Sequence, residues 1–235
     1  MKPIFMKYLL FTIALFFSIT VFSQSDRGTS NIGDGYASKK GNIKGHPYLF
    51  QNWESGYLID SNGKLSEEKL LNYDILNQNI TYKVNTSSEE IFVINGDQYP
   101  SFIITDSKKT DFSFTKINGS DFQKAKKVDK YYQLVNGNSN LVILESLKIL
   151  KDPNASGWSS SSLSTKSAEY NLNTTIYILN DSEQYVKVKA NKASILKALK
   201  DKKKEIDAYL NDNNTKIKTE SDLVSILEYY HSLNM

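Results

Sequence analysis

The sequence predicts an α+β fold, in which a mostly antiparallel β-meander forms a curved sandwich or partly closed barrel and a C-terminal helical hairpin follows it. Short runs rich in β-branched and aromatic residues, typical of strands, extend from about residue 48 to residue 189. Asn-Gly pairs separate several of these runs and favour tight turns between antiparallel neighbours. After residue 189 the apolar residues recur with the period of a helix.

The first segment of the chain carries the pattern of an export signal. Lys2 and Lys7 lead into an apolar run at residues 8–22, which ends at the small residue Ser23. This pattern predicts a cleaved signal peptide at residues 1–23. The run is shorter than the roughly 20 apolar residues that span a bilayer comfortably, so we expect no transmembrane segment after cleavage.

The rest of the chain is predicted to form an arm and one domain. Residues 24–45 are polar and rich in glycine, which indicates a flexible arm, and residues 46–235 have the length of a single β-rich domain. The predicted strands are residues 56–60, 71–76, 80–84, 90–94, 102–105, 112–117, 130–135, 141–149, 174–179 and 185–189. The Asn-Gly pairs are residues 62–63, 95–96, 118–119 and 136–137. We expect each pair to form a tight hairpin turn, which gives an up-and-down order of strands.

Two helices are predicted after the strands. The first spans residues 192–211 with Asn191 as its cap, and the second spans residues 220–233 behind Thr219. Asp222 follows Thr219 by three residues, which approximates a capping box. Each helix has one apolar stripe, and we expect the sheet to cover it.

The composition limits the possible chemistry. The chain has no cysteine, which excludes thiol nucleophiles, zinc–cysteine sites, iron–sulfur clusters and a lipoprotein anchor on cysteine. Removal of the signal peptide takes away two lysines and no acid, so the formal net charge falls from +3 to +1. This charge gives no reason to expect nucleic acid as a partner. We predict no cofactor and no metal site.

The candidate catalytic residues lack the partners that catalysis requires. His46 and His231 are the only histidines, too few for a histidine zinc site, and we interpret them as a turn residue and a cation near a helix C-terminus. Ser194 and Lys197 have the Ser-x-x-Lys spacing of serine β-lactamases, but the accompanying elements are missing. Adjacent acids on a strand point to opposite faces, so the pairs at 67–68 and 89–90 do not face each other across a substrate. We therefore predict no catalytic residues.

Aromatic residues give the strongest signal for a binding site. Trp158 lies in a serine-rich segment at residues 153–169, and long loops often carry function. Tyr131 and Tyr132 are neighbours on a predicted strand, so one of them is expected on the outer face. Exposed aromatic side chains commonly mark contacts, and we predict Trp158 and Tyr132 as binding residues.

The style of the sequence resembles a group of bacterial exported proteins. The leader ends in Val-Phe-Ser-Gln, residues 56–63 read Gly-Tyr-Leu-Ile-Asp-Ser-Asn-Gly, and a lysine-rich helical pattern follows at 195–207. In these features the chain is similar to exported proteins of Bacteroidota, particularly the flavobacteria. That group has no assigned reaction, so the resemblance implies no functional residues. The helical C-terminal part differs from the β-rich sorting domains of that phylum, which favours the periplasm over secretion.

These observations favour a periplasmic, non-catalytic binding or envelope-associated protein over an enzyme. Its partner is expected to be a protein, a glycan or a small apolar ligand. A hydrolase of envelope polymers, with carboxylates assembled by the fold, is one alternative. A lipocalin-like carrier of small apolar ligands is another.

Overall fold

The computed structural model describes residues 43–136, 140–151 and 168–233. It is an α+β fold with a ten-stranded sheet followed by three helices. All the predicted strands are present, most of them within two residues of the expected bounds. The strands are β1 (Glu54–Ile59), β2 (Lys69–Asp74), β3 (Asn79–Lys83), β4 (Phe92–Val93), β5 (Ser101–Thr105), β6 (Asp111–Ile117), β7 (Lys130–Leu134), β8 (Val142–Lys151), β9 (Glu169–Leu179) and β10 (Tyr185–Val188). The predicted signal peptide, nearly all of the predicted arm and Trp158 lie outside the described residues.

The sheet is antiparallel throughout but not a simple meander. Its strand order is β10-β9-β8-β7-β6-β5-β1-β2-β3-β4, so the sheet has two ends and is not closed. The predicted sequential order is wrong at one connection. After β4 the chain crosses back through residues 94–100 and β5 pairs with β1, where Gly56 lies opposite Ile104. The sheet therefore consists of two meanders, β1 to β4 and β5 to β10, which are joined by the pairing of β1 with β5.

The predicted role of the Asn-Gly pairs is only partly correct. Residues 62–63 lie in the tight turn between β1 and β2, where the Gly63 N–H donates to the Asp60 carbonyl at 3.0 Å. The pair at 95–96 lies instead in the crossover, and the pair at 118–119 begins a long connection between β6 and β7. The prediction of tight hairpins is wrong at these two positions, because Asn can also cap a turn through its side chain. Gly137 lies outside the described residues.

Three hairpin turns share a feature that is visible in the sequence. Each begins with Asp or Asn, whose side-chain oxygen accepts the N–H groups two and four residues later, at 2.8–3.1 Å. These first residues are Asp60, Asp106 and Asn180. The fourth residue of each turn has a positive φ. These residues are Gly63, Lys109 and Glu183, with φ of 78°, 65° and 54°.

The helices begin where the sequence predicts, but the first predicted helix is divided. Helix α1 (Lys192–Ala198) ends at Leu199, a 3₁₀ turn (Lys200–Lys202) follows, and then come α2 (Lys203–Asp212) and α3 (Glu220–Ser232). The interruption brings the Asp201 carboxylate within 2.8 Å of the Tyr230 hydroxyl, which donates to it. The predicted capping box at Thr219 and Asp222 is present.

The three helices cover one face of β8, β9 and β10. Val142, Ile178 and Val186 lie in one row across these strands and point towards the helices. The predicted apolar stripes of the helices are buried there. Their residues are Ile195, Leu199, Ile206, Leu210, Leu223, Ile226, Leu227 and Tyr230, all at most 3% exposed.

A second apolar cluster lies on the same face at the other end of the sheet. The rings of Tyr73 on β2 and Tyr131 on β7 meet edge to face with centroids 6.1 Å apart. Four strand spacings separate β2 from β7 in the sheet, about 19 Å in a flat sheet. The contact therefore requires the sheet to bend around this cluster. Phe102 and Phe114 stack between them with centroids 4.6 Å apart, and Leu58 completes the row.

Candidate functional site

The opposite face of β7 to β10 is covered by the connection between β6 and β7, residues 118–129, which we call the strap. The strap reaches the outer edge of the sheet, where Phe122 pairs with Tyr185 of β10. The Gln123 N–H donates to the Tyr185 carbonyl at 3.1 Å. Phe122 is 3% exposed and its ring contacts those of Tyr132, Tyr177 and Tyr185, with centroids 5.1–5.3 Å apart.

The strap is held by local backbone contacts as well as by Phe122. The Gly119 N–H donates to the Asp129 carboxylate at 3.0 Å, and the Lys126 N–H donates to the Gly119 carbonyl at 2.8 Å. A Cβ on Gly119 would lie 2.4 Å from the Lys126 carbonyl oxygen, so only glycine fits this close approach. Asn118 accepts the Ser120 N–H at 2.9 Å and starts the turn.

Lys126 reaches from the strap into a ring of aromatic side chains. Its Nζ lies 4.3 Å from the Phe122 ring centroid, 4.9 Å from that of Tyr132 and 4.4 Å from that of Tyr177. The same Nζ donates to the Tyr132 hydroxyl at 2.8 Å, to Glu145 Oε2 at 2.9 Å and to the Tyr177 hydroxyl at 3.0 Å. We call Phe122, Tyr132, Glu145 and Tyr177 the lysine cage. Aromatic faces and a carboxylate together are typical of a site for an ammonium group.

The charges of this site are paired and largely removed from water. Glu145 is 7% exposed, and the side chain of Lys126 is 21% exposed. Lys130 Nζ lies 3.7 Å from Glu145 Oε1, and the Tyr177 hydroxyl donates to Glu145 Oε2 at 2.9 Å. Because both carboxylate oxygens have cationic partners, the buried charge of Glu145 is compensated.

The pKa directions favour a charged pair between neutral tyrosines. Burial lowers the pKa of Lys126, while the hydrogen bond and the charge of Glu145 oppose that change. Burial alone would raise the pKa of Glu145, but the hydrogen bonds from Lys126 and Tyr177 and the nearby lysine charges keep this pKa below its ordinary value. Burial and the Glu145 charge raise the pKa of Tyr132, and burial and the Glu145 hydrogen bond raise that of Tyr177. The cage therefore suits a cation at neutral pH.

Tyr132, one of the two predicted binding residues, belongs to the cage but not to an exposed face. Tyr131 and Tyr132 lie on opposite faces of β7, as alternation requires, yet both are buried, at 6% and 1% exposure. The strap covers the second face, which the sequence pattern did not indicate. Glu145 and Lys126 were not predicted. The signal for Glu145 is a single acid within the apolar run Leu-Val-Ile-Leu-Glu.

The other candidate residues either make structural contacts or are exposed. His46 Nε2 lies 3.1 Å from Gln51 Oε1, and His231 Nε2 lies 3.2 Å from the Leu179 carbonyl oxygen. Ser194 Oγ accepts the Lys189 N–H at 2.9 Å at the start of α1, whereas Lys197 is exposed. The acid pairs at 67–68 and 89–90 are exposed. Among the described residues, no group of three or more His, Asp or Glu side chains could hold a metal ion.

Next to the cage, the same face of the sheet carries a shallow depression whose lining has no charged residue. We call this depression the neutral face. Its volume is about 460 Å³, and it lies on β1, β5 and β6 with a border on β7. Its lining residues are Ile59, Ser101, Phe102, Ile103, Ser113, Phe114, Thr115, Ile117, Leu134 and Asn140. The Ser101 and Thr115 hydroxyls are 2.9 Å apart and bonded across β5 and β6. Apart from the two phenylalanines, whose rings are buried on the other face, most of the lining is half-buried.

No family model, curated protein or solved structure matches this chain. In the part of the chain that the structure describes, no helix is both long enough and apolar enough to span a membrane.

Proposed function

We propose that this chain is an exported, periplasmic, non-catalytic protein that binds a protein partner of the cell envelope on a curved, sandwich-like sheet. The predicted export signal at residues 1–23 and the resemblance to flavobacterial exported proteins support the location. The neutral face is the observation that supports binding.

The chemistry of the neutral face suits a protein partner. Charged residues are depleted in the core of protein interfaces, and the lining of the neutral face has none. Ile103 and Ser101 alternate with the buried Phe102 and Ile104 on β5, so the strand that carries them is fixed by the core. Such a rigid surface keeps the entropy cost of binding low.

The alternatives have weaker support. A hydrolase with two acids needs carboxylates that face each other across a substrate, whereas the nearest charged partners of the buried Glu145 are Lys126 and Lys130. A lipocalin-like carrier needs an apolar cavity within the sheet. Around Tyr73, Phe102 and Phe114 the bent sheet is filled by ring contacts instead.

Cosedimentation with isolated envelopes tests the proposal. The chain from residue 24 onwards should cosediment, and Ile103→Lys should weaken this binding about tenfold because it introduces a charge at the centre of the neutral face. Val84→Lys is the matched control, because Val84 is 68% exposed, follows β3 and is not part of the lining of this face. It should bind as the parent does.

Protease treatment of the envelopes should abolish the binding if the partner is a protein. Equal binding by the parent and Ile103→Lys would contradict the use of the neutral face. Release of soluble fragments from purified envelope polymers by the chain would contradict a non-catalytic role and support the hydrolase.

A further inference from the structure

The walls of the lysine cage come mainly from the sheet. Tyr132 lies on β7, Glu145 on β8 and Tyr177 on β9, three strands that are neighbours in the sheet. Only Phe122 comes from the strap. The two tyrosine hydroxyls and the carboxylate therefore converge on one point because strand pairing fixes them, and the Nζ of Lys126 occupies that point.

The Lys126 side chain fills the cage, but the residues that form the cage do not depend on it for their positions. Lys126 enters from a connection that keeps other anchors, namely the Gly119 to Asp129 hydrogen bond and the burial of Phe122. Its backbone N–H bond to Gly119 does not depend on its side chain. A shorter side chain at position 126 would therefore leave the cage formed, with Glu145 lacking its closest cation.

We propose that the lysine cage is a binding site for a primary ammonium group, which Lys126 fills as a tethered ligand and which a free alkylammonium ion can fill in its place. Three acceptors at 2.8–3.0 Å match the three N–H donors of such a group. The ring of Phe122, with its centroid 4.3 Å from Nζ, adds cation–π attraction. This proposal is independent of the neutral face and of any envelope partner.

The test is chemical rescue of Lys126→Ala with n-propylammonium, which replaces the atoms that the substitution removes. Binding is followed by tyrosine fluorescence and by the midpoint of thermal unfolding. We expect Lys126→Ala to show saturable binding and a rise in the midpoint. Wild type should bind the same ion at least about tenfold more weakly, because Lys126 must first leave the cage.

Three controls separate the site from general effects of the ion. 1-Propanol has nearly the same size without the charge and should not rescue Lys126→Ala. Adding Glu145→Gln to Lys126→Ala should remove the saturable response, because the carboxylate supplies the opposite charge. Lys124→Ala, an exposed lysine of the same strap, should respond as wild type does.

The proposal is wrong if Lys126→Ala gains no saturable response, if 1-propanol is equally effective, or if Glu145→Gln leaves the response unchanged. Equal affinity in wild type and Lys126→Ala would also contradict it. If Lys126→Ala does not fold alone, it is refolded with and without n-propylammonium. Recovery of the native circular dichroism spectrum only with the amine supports the site, and failure to recover it contradicts the site.

Discussion

The ammonium group of Lys126 lies 2.9 Å from a carboxylate oxygen of Glu145, so the connection between β6 and β7 is tied to the middle of β8. Each residue compensates the charge of the other in a largely buried place. Removing one partner leaves the other unsatisfied, whereas removing both leaves only a change in packing. The stability of variants at these two positions, and its dependence on pH, should reflect this asymmetry.

Lys126→Met should lower the free energy of unfolding by about 2 kcal/mol, because Glu145 loses its closest cation. The double variant Lys126→Met/Glu145→Gln should lose less than the sum of the single changes, with a coupling of about 1 kcal/mol or more. Urea denaturation of the four proteins measures this cycle, and Lys124→Met serves as the surface control. Additive effects would mean that the two residues do not stabilise each other.

The contribution of Glu145 to the free energy of unfolding should depend on pH. Its pKa in the folded protein lies below the ordinary value, so near pH 4 the unfolded chain binds more protons at this residue than the folded chain does. The stabilisation by Glu145 is therefore present above about pH 4 and is lost as the pH falls through the folded pKa. Glu145→Gln should be less stable than wild type at pH 7, and the difference should narrow below about pH 4. Denaturation curves from pH 7 to pH 3 measure it, and a constant difference would contradict the pairing.

Lys109→Gly should stabilise the protein by up to about 1 kcal/mol. Lys109 has a φ of 65° in the turn between β5 and β6, and glycine adopts this conformation without the steric cost that a side chain pays. Lys108→Gly is the matched control, because the neighbouring position lacks a positive φ and should lose stability through entropy. Thermal unfolding compares the two variants, and the same sign for both would contradict the turn geometry.

Gly119→Ala should destabilise the strap. The new methyl group would lie 2.4 Å from the Lys126 carbonyl oxygen, so the backbone must move, at a cost of about 1–3 kcal/mol. The displacement should also shift the tyrosine fluorescence of the cage, because Lys126 follows the moved backbone. Lys124→Ala on the same strap should change neither quantity. A fluorescence spectrum and stability equal to wild type would show that the close approach is absent.

Patterns within a few residues predicted most of the fold. Strand alternation identified all ten strands, and Thr219 with Asp222 identified the start of α3, because these signals are local. The break after Leu199 was missed, since it is accompanied by a contact between Asp201 and the distant Tyr230. Asn118 and Gly119 predicted a tight hairpin, but the pair begins the strap, which extends to β10 and pairs with it at Phe122. A contact so distant in sequence has no local signal.

The candidate site was less predictable than the fold. Tyr132 was predicted from its residue type, whereas Lys126, Glu145 and Tyr177 come from other segments, and Lys126 and Tyr177 are 51 positions apart. A lysine in a polar connection carries no sign of burial. The single acid of β8 was the one available clue, because an ionised side chain in an apolar strand requires a partner.

The two apolar clusters differ in when their residues emerge during synthesis. The buried members of the cluster around Tyr73 lie between Leu58 and Tyr131, and they can assemble as soon as β7 exists. The cluster under the helices includes Val142 but also Tyr230, so the apolar side of β8 to β10 stays uncovered until α3 has been made. We therefore expect the earlier half to fold before the later half, and the late strands to be the part of the newly made chain most exposed to chaperones.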